Sequence, residues 1–120
     1  DVLLHAIIDA LLGSLALGDI GQWFPDHLPE FRDLDSRKLL QRVLDDPRLA
    51  GWRLVNLDCT VIVQSPRLAP AIPAIRQEIA RLFAVPAERI SVKAKTNEGL
   101  DAIGRGEAIA AQAIILGELP

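Results

Sequence analysis

A chain of 120 residues is large enough for one domain around a single core and too small for two. Half of its residues are hydrophobic, with a mean hydropathy of +0.24, yet no stretch approaches the roughly 18 uninterrupted apolar residues of a membrane span. The net charge of -3, without a basic run, excludes a general nucleic-acid binder, whose affinity would rest on clustered Lys and Arg.

The first segment, "DVLLHAIIDALLG", residues 1–13, reads as a helix running from about residue 2 to Leu17 and closed by Gly18. Leu4, Ile7, Ile8, Leu11, Leu12 and Leu15 recur at helical spacing and need a core. Asp1, His5 and Asp9, four apart, stack on one face of that helix. This polar stripe has two readings, a solvated edge with a satisfied structural histidine, or one wall of a metal or catalytic site.

The next stretch, "GDIGQWFPDHLPEF", residues 18–31, is rich in Gly, Pro and Asp, with Ile20, Trp23 and Phe24 pinning it down. A loop of that length inside a small domain is usually functional. "DSRKLLQRVLDDP" then offers Asp35 or Ser36 as N-cap and Leu39, Leu40, Val43 and Leu44 as a buried face, with Pro47 beyond the end.

Residues 52–64, "WRLVNLDCTVIVQ", read as a long strand with Leu54, Asn56, Asp58 and Thr60 alternating against Val55, Leu57, Cys59 and Val61. After the turn "SPRLAP", residues 71–85 form an amphipathic helix with Pro73 in its first turn. "RISVKAKT" is a second strand ending at the loop "NEGLDAIGRG". The last run, "EAIAAQAIIL", fits helix or strand by pattern; its shortness and the Gly-rich turn before it favour a strand. Cys59, the single cysteine, lies inside the first strand, which rules out an intrachain disulfide and suits a reducing compartment. High apolar content with only two Trp and three Phe points to surface buried against partner subunits. Helices and strands alternate, so the fold class is α/β or α+β, with helices on one face of a sheet.

Two polar clusters carry candidate chemistry. At 93–99, "KAKTNEG", a strand ends in Lys95, Thr96, Asn97 and Glu98 before a glycine. Lys95 could neutralise a phosphate, Thr96 hydrogen-bond its oxygens and Glu98 hold a divalent ion; an ordinary polar turn accounts for the same pattern. In "GRGE", Arg105 could meet an anion or simply pair with Glu107. As a zinc site His5 is incomplete, since no HxH, HxxxH or paired-cysteine motif supplies further ligands.

Five collinear segments, "DVLLHAIIDALLGSLALGDIGQWFPD", "DSRKLL", "VNLDCTVIVQSPRLAP", "VKAKTNEGL" and "GRGEAIAAQA", resemble the 2-C-methyl-D-erythritol 2,4-cyclodiphosphate synthase family of the non-mevalonate isoprenoid pathway, over essentially the whole chain. The resemblance implies an α+β subunit, a mixed sheet covered by helices on one face, assembling as a homotrimer around a central sheet-lined core with active sites between neighbouring subunits. It implies a lyase that cyclises 4-diphosphocytidyl-2-C-methyl-D-erythritol 2-phosphate to the cyclic diphosphate and releases CMP, with zinc and either magnesium or manganese as cofactors. The expected compartment is the bacterial cytoplasm or a plastid, and neither nucleic acid nor membrane is an expected partner.

The same resemblance distributes the roles. His5 matches a zinc ligand, with Asp9 one turn on as a partner fixing its ring. Asp19, Ile20 and Gly21 match loop positions that meet the substrate, Asp19 at the sugar hydroxyls. Phe24, Pro25, Asp26, His27 and Leu28 match a mobile loop over the methylerythritol part. The stretch Val63, Gln64, Ser65, Pro66, Arg67, Leu68 and Ala69 matches the cytosine pocket. Lys95, Thr96, Asn97 and Glu98 match the opposite wall, with Thr96 at a position that stabilises the transition state and Glu98 at the second metal. Ala102 and Arg105 border the nucleotide.

The chain departs from the family pattern in places. His27 stands where Thr is usual, Arg67 where Lys is common and Ala102 where an aromatic is often found. The family's other two zinc ligands lie in a DxH motif on an N-terminal strand, and a phosphate-handling His-Ser pair falls just before this chain's first residue. The chain opens without Met directly on a helical pattern, so its N-terminal segment is expected to be missing, and the polypeptide as it stands to be inactive without it. The competing expectation is a non-catalytic, trimeric cytidine-nucleotide-binding remnant.

Overall fold

In a computed structural model, which describes residues 2–120, helix α1 spans Val2–Ser14 and buries Leu4, Ile7, Ile8, Leu11 and Leu12. Asp1 lies outside the described residues. The helix ends earlier than its apolar pattern suggests, because Ala16 turns left-handed (φ 55°). The Leu17 amide then reaches back to the Leu12 carbonyl (2.9 Å) and the Ala16 amide to that of Gly13 (3.1 Å), closing the helix at Ser14, short of the expected Leu17. The later helix α4, Ile72–Phe83, with Pro73 in its first turn, stops the same way on left-handed Ala84. Left-handed alanine costs about 1–2 kcal/mol. Burial of one leucine-sized side chain returns about 1.5–3 kcal/mol, and α1 alone buries five, so the apolar stripe decides where the chain turns.

The 18–31 stretch contains a short helix, α2 (Ile20–Trp23), capped by Asp19, whose carboxylate accepts from the Gln22 amide at 2.9 Å. Helix α3 (Ser36–Leu44) is capped by Asp35 through the Arg37 amide and buries Leu39, Leu40 and Val43. Between the "NEG" and "GRG" turns the chain forms a further one-turn helix, α5 (Asp101–Gly104), where the sequence reading expects only loop.

Three strands form a mixed sheet in the order β2-β1-β3: β1 (Arg53–Ile62) is central, parallel to β2 (Ile90–Lys95) and antiparallel to β3 (Ala110–Glu118). The ambiguous last run is therefore a strand. Helices α1 and α4 pack on one face over Leu57, Cys59, Ile90 and Val92. Strict alternation would put Leu54 with the polar set of Asn56, Asp58 and Thr60. A register shift against β3 between Leu54 and Asn56 turns Leu54 into the core beside Leu57 instead. The opposite face carries Asp58, ion-paired with Lys93 at 3.0 Å, together with Ile114 and Leu116, which are 75% and 60% exposed. Among the described residues no helix is long and apolar enough to cross a membrane.

Candidate active site

His5 projects from the exposed edge of α1 toward the start of α3, where its Nε2 is hydrogen-bonded to Ser36 Oγ at 3.0 Å. Because Asp35 is the N-cap, Ser36 is the first helical residue, and it is the buried polar residue of the core region. Partial burial holds the imidazole below its ordinary pKa, while the nearby Asp9 carboxylate pulls in the other direction. His5 is thereby kept in the neutral form able to offer a ring lone pair.

Around this pair lies a cleft of about 660 Å³. Of the residues expected at the site, it gathers His5, Ile20, Gly21, Phe24, Pro25, Asp26 and His27. It adds Phe31, Asp33, Leu34, Ser36 and Leu39, which the sequence did not single out as site residues. Asp19 and Leu28 shape this wall from behind without lining it: Asp19 caps α2, and the Leu28 amide closes a turn on the Pro25 carbonyl at 3.1 Å.

Asp9 has a different task from the expected one. Its carboxylate accepts from the Ile20 amide at 2.8 Å, so it ties the start of α2 to α1, and the imidazole's hydrogen bond goes to Ser36. A pattern of four-residue spacing identifies neighbours on the helix surface but not which incoming loop reaches them.

The remaining expected residues meet elsewhere. β1 is prolonged by the Val63 amide donating to the Lys95 carbonyl at 2.9 Å, which sets Val63–Gln64 beside Lys95–Asn97. The turn after it passes through a cis Ser65–Pro66 bond and exposes Ser65, Pro66, Arg67 and Ala69, with Leu68 half-buried. Gln64 Oε1 accepts from the Gly99 amide at 3.3 Å, joining this turn to the 96–106 loop. There Thr96 Oγ1 accepts from the Glu98 amide (3.2 Å), and Glu98 itself is left-handed (φ 54°). Asp101 accepts from the Ile103 and Gly104 amides and from Asn97 Nδ2; these bonds, Gly104 first, hold its carboxyl below the usual range. Ala102 is half-buried in this loop, and Arg105 pairs with Glu107 at 3.1 Å. None of residues 63–69 or 95–105 lines the His5 cleft. One chain thus presents two partial sites rather than one.

Neither partial site is a complete metal centre. Among the described residues no group of three or more His, Cys, Asp and Glu side chains could hold an ion. His5 offers one donor to zinc, and Glu98 is one carboxylate beside Lys95, Thr96 and Asn97.

The chain is 54% identical over 116 residues to the 2-C-methyl-D-erythritol 2,4-cyclodiphosphate synthase of Syntrophomonas wolfei, covering 97% of this chain and 74% of that protein. Its fold superposes on the bifunctional IspDF of Campylobacter jejuni with a TM-score of 0.93 at 38% identity, covering all of this chain and 32% of that one. A structure of 2C-methyl-D-erythritol-2,4-cyclodiphosphate synthase described as a CDP-bound form matches with a TM-score of 0.85 at 33% identity, over 96% of this chain and 74% of that one. The model of the YgbB family matches residues 1–118, and the chain belongs to that family.

Proposed function

We propose that the chain is a lyase subunit that cyclises 4-diphosphocytidyl-2-C-methyl-D-erythritol 2-phosphate to 2-C-methyl-D-erythritol 2,4-cyclodiphosphate and releases CMP, in a bacterial cytoplasm or a plastid. The observation that carries this reading is the 54% identity to a named synthase, at a level that spans both partial sites. In the reaction the 2-phosphate attacks the β-phosphorus and CMP leaves, so the protein's main task is to hold two anionic groups in line. Lys95 supplies a cation to the diphosphate. Thr96 accepts a hydrogen bond from Glu98, which leaves its own O–H free to donate to a phosphate oxygen. The exposed 65–67 turn offers backbone groups to cytosine, and the segment Phe24–Leu28 covers the methylerythritol part.

The separation of the two partial sites on one chain supports a homotrimer in which each active site joins the His5 cleft of one copy to the 63–69 and 95–105 cluster of the next. The uncovered sheet face bearing Ile114 and Leu116 is the surface such an assembly would bury. Zinc at His5 and magnesium or manganese at Glu98 belong to the same proposal, supplying charge neutralisation at the diphosphate when bound. The described residues do not complete either coordination shell.

The test is to incubate the full-length protein with the diphosphocytidyl substrate, zinc and magnesium, and to follow CMP by chromatography. CMP release dependent on substrate is expected. Binding of CMP without any turnover would overturn the enzyme reading in favour of a non-catalytic nucleotide-binding remnant.

A further inference from the structure

Two arginines that do not themselves line the His5 cleft stand against the aromatic side chains of its wall. Arg48, in the turn Pro47–Leu49 after α3, places its guanidinium 4.8 Å from the centroid of the Trp23 ring. Arg42, on α3, lies 5.6 Å from the centroid of Phe31. Between these two contacts the rings are continuous: Trp23 and Phe24 have centroids 6.2 Å apart, and Phe24 meets Phe31 edge-on at 5.3 Å and 74°. Phe24 and Phe31 line the cleft and Trp23 continues the row beyond them, so two of the three rings belong to its wall and an arginine stands at each end of the row.

Each cation is set on a fixed support. Arg42 rides on the helix whose Leu39, Leu40 and Val43 are buried in the core. Arg48 is ion-paired with Asp46 at 2.9 Å, and Asp46 caps the same turn by accepting from the Arg48 amide. Trp23 is fixed at its other end, its Nε1 donating to the Leu17 carbonyl at 2.8 Å. Residues 20–34 contain Pro25, Pro29 and three acidic residues, Asp26, Glu30 and Asp33, and besides these rings only Ile20 and Leu34 among them pack against the core. A planar guanidinium on a ring face is attracted by the ring's quadrupole and stacks without losing its water on the other side.

We infer that Arg42 and Arg48 are positioning residues, which fix residues 20–34 by the outer rings and so set the cleft that the sugar part of the substrate occupies. The inference rests on the proposed reaction only for the identity of that substrate. The segment covers a part of the substrate remote from the reacting phosphates, so loosening it weakens binding in the ground state and the transition state alike, and KM moves rather than kcat.

Hydrogen–deuterium exchange of the full-length protein, read by mass spectrometry, separates the two questions. At an exposed site each contact is modest, so Arg48→Ala and Arg42→Ala should each speed exchange in residues 20–34 about two- to fivefold, and the double variant roughly tenfold, with β1 unchanged. Arg48→Lys should restore part of the protection. Asp46→Asn, which keeps the cap and the cation but removes the ion pair, should stay within about twofold of wild type. In steady state the alanine variants should raise KM by similar factors with kcat within about twofold. Wild-type exchange over 20–34, equal acceleration in β1, or loosening without a change in KM would each overturn the inference. Should the wild-type protein turn over no substrate, the proposed reaction fails, and the exchange rates over residues 20–34 against β1 alone decide the arginines' role.

Discussion

His5 and Ser36, thirty-one positions apart, are hydrogen-bonded at 3.0 Å, joining α1 to the first residue of α3 across the mouth of the cleft. The bond engages Nε2 and fixes the imidazole's orientation, so Nδ1 is the ring nitrogen not used in it. If zinc binds at His5 as proposed, His5→Ala should remove most of the zinc from the full-length protein by elemental analysis and abolish CMP release, with helix content by circular dichroism preserved. Ser36→Ala keeps the His5 ligand and should cost roughly 10–100-fold in metal affinity or activity, as loss of a partner that orients a ligand generally does. Unchanged zinc in His5→Ala would remove His5 from the ligand set.

Gly104 is packed against the backbone of Gly99: a Cβ there would fall 2.3 Å from the Gly99 carbonyl carbon. Gly104→Ala must push the 96–106 loop open and displace Thr96 and Glu98. A loss of about 1–3 kcal/mol in a denaturant titration is expected, in line with other overpacked sites, together with a fall in kcat/KM. A wild-type unfolding midpoint would show that the loop yields freely.

Asp35 is the cap of α3 and chelates the Arg37 guanidinium, which holds its carboxyl at about 2 instead of 3.8. A carboxyl depressed in the folded state adds stability above its unfolded pKa and loses it as the pH falls through the folded one. Asparagine preserves the cap but not the charge. The gap in thermal midpoint between wild type and Asp35→Asn should therefore hold steady above pH 3.8 and close as the pH falls toward about 2.

Cys59 is buried in the middle of β1, and burial pushes its thiol up to about 12. Since the thiolate is the reactive form, an aromatic disulfide reagent at pH 8 should label it only at the rate of unfolding, and immediately in denaturant. Rapid labelling of the native protein would mean that the core opens at β1.

Ile114 and Leu116 point away from the helices on the uncovered sheet face. If the assembly buries that face, Leu116→Lys should convert the trimer to slower-sedimenting species in analytical ultracentrifugation and reduce activity in parallel. A wild-type protein that sediments as a monomer would remove the shared-site arrangement.

Much of the fold was legible from residue pattern. The leucine and isoleucine stripe of α1, the Asp35 cap, Pro73 in the first turn of α4 and the β-branched run of β1 each express a local preference that the structure keeps. The outcomes that differ were set by groups distant in sequence. Leu54 faces the core because the pairing with β3 slips at Val55, and Asp9 serves Ile20 because the 18–24 segment folds back over α1. Ala16 and Ala84 take left-handed turns that glycine would adopt more readily, because burial on either side outweighs the local cost.

The residues of the site were named through family likeness, and their chemistry could be argued from residue type alone: an imidazole for metal, a lysine and a hydroxyl for phosphate. Which of them share one place was not legible. Sequence spacing fixes neighbours within an element, whereas the His5–Ser36 bond, the arginine-held row of rings and the separation of the two partial sites depend on how α1, α3 and the sheet pack. That packing is decided by burial summed over the whole core, a quantity that no single stretch of this sequence contains.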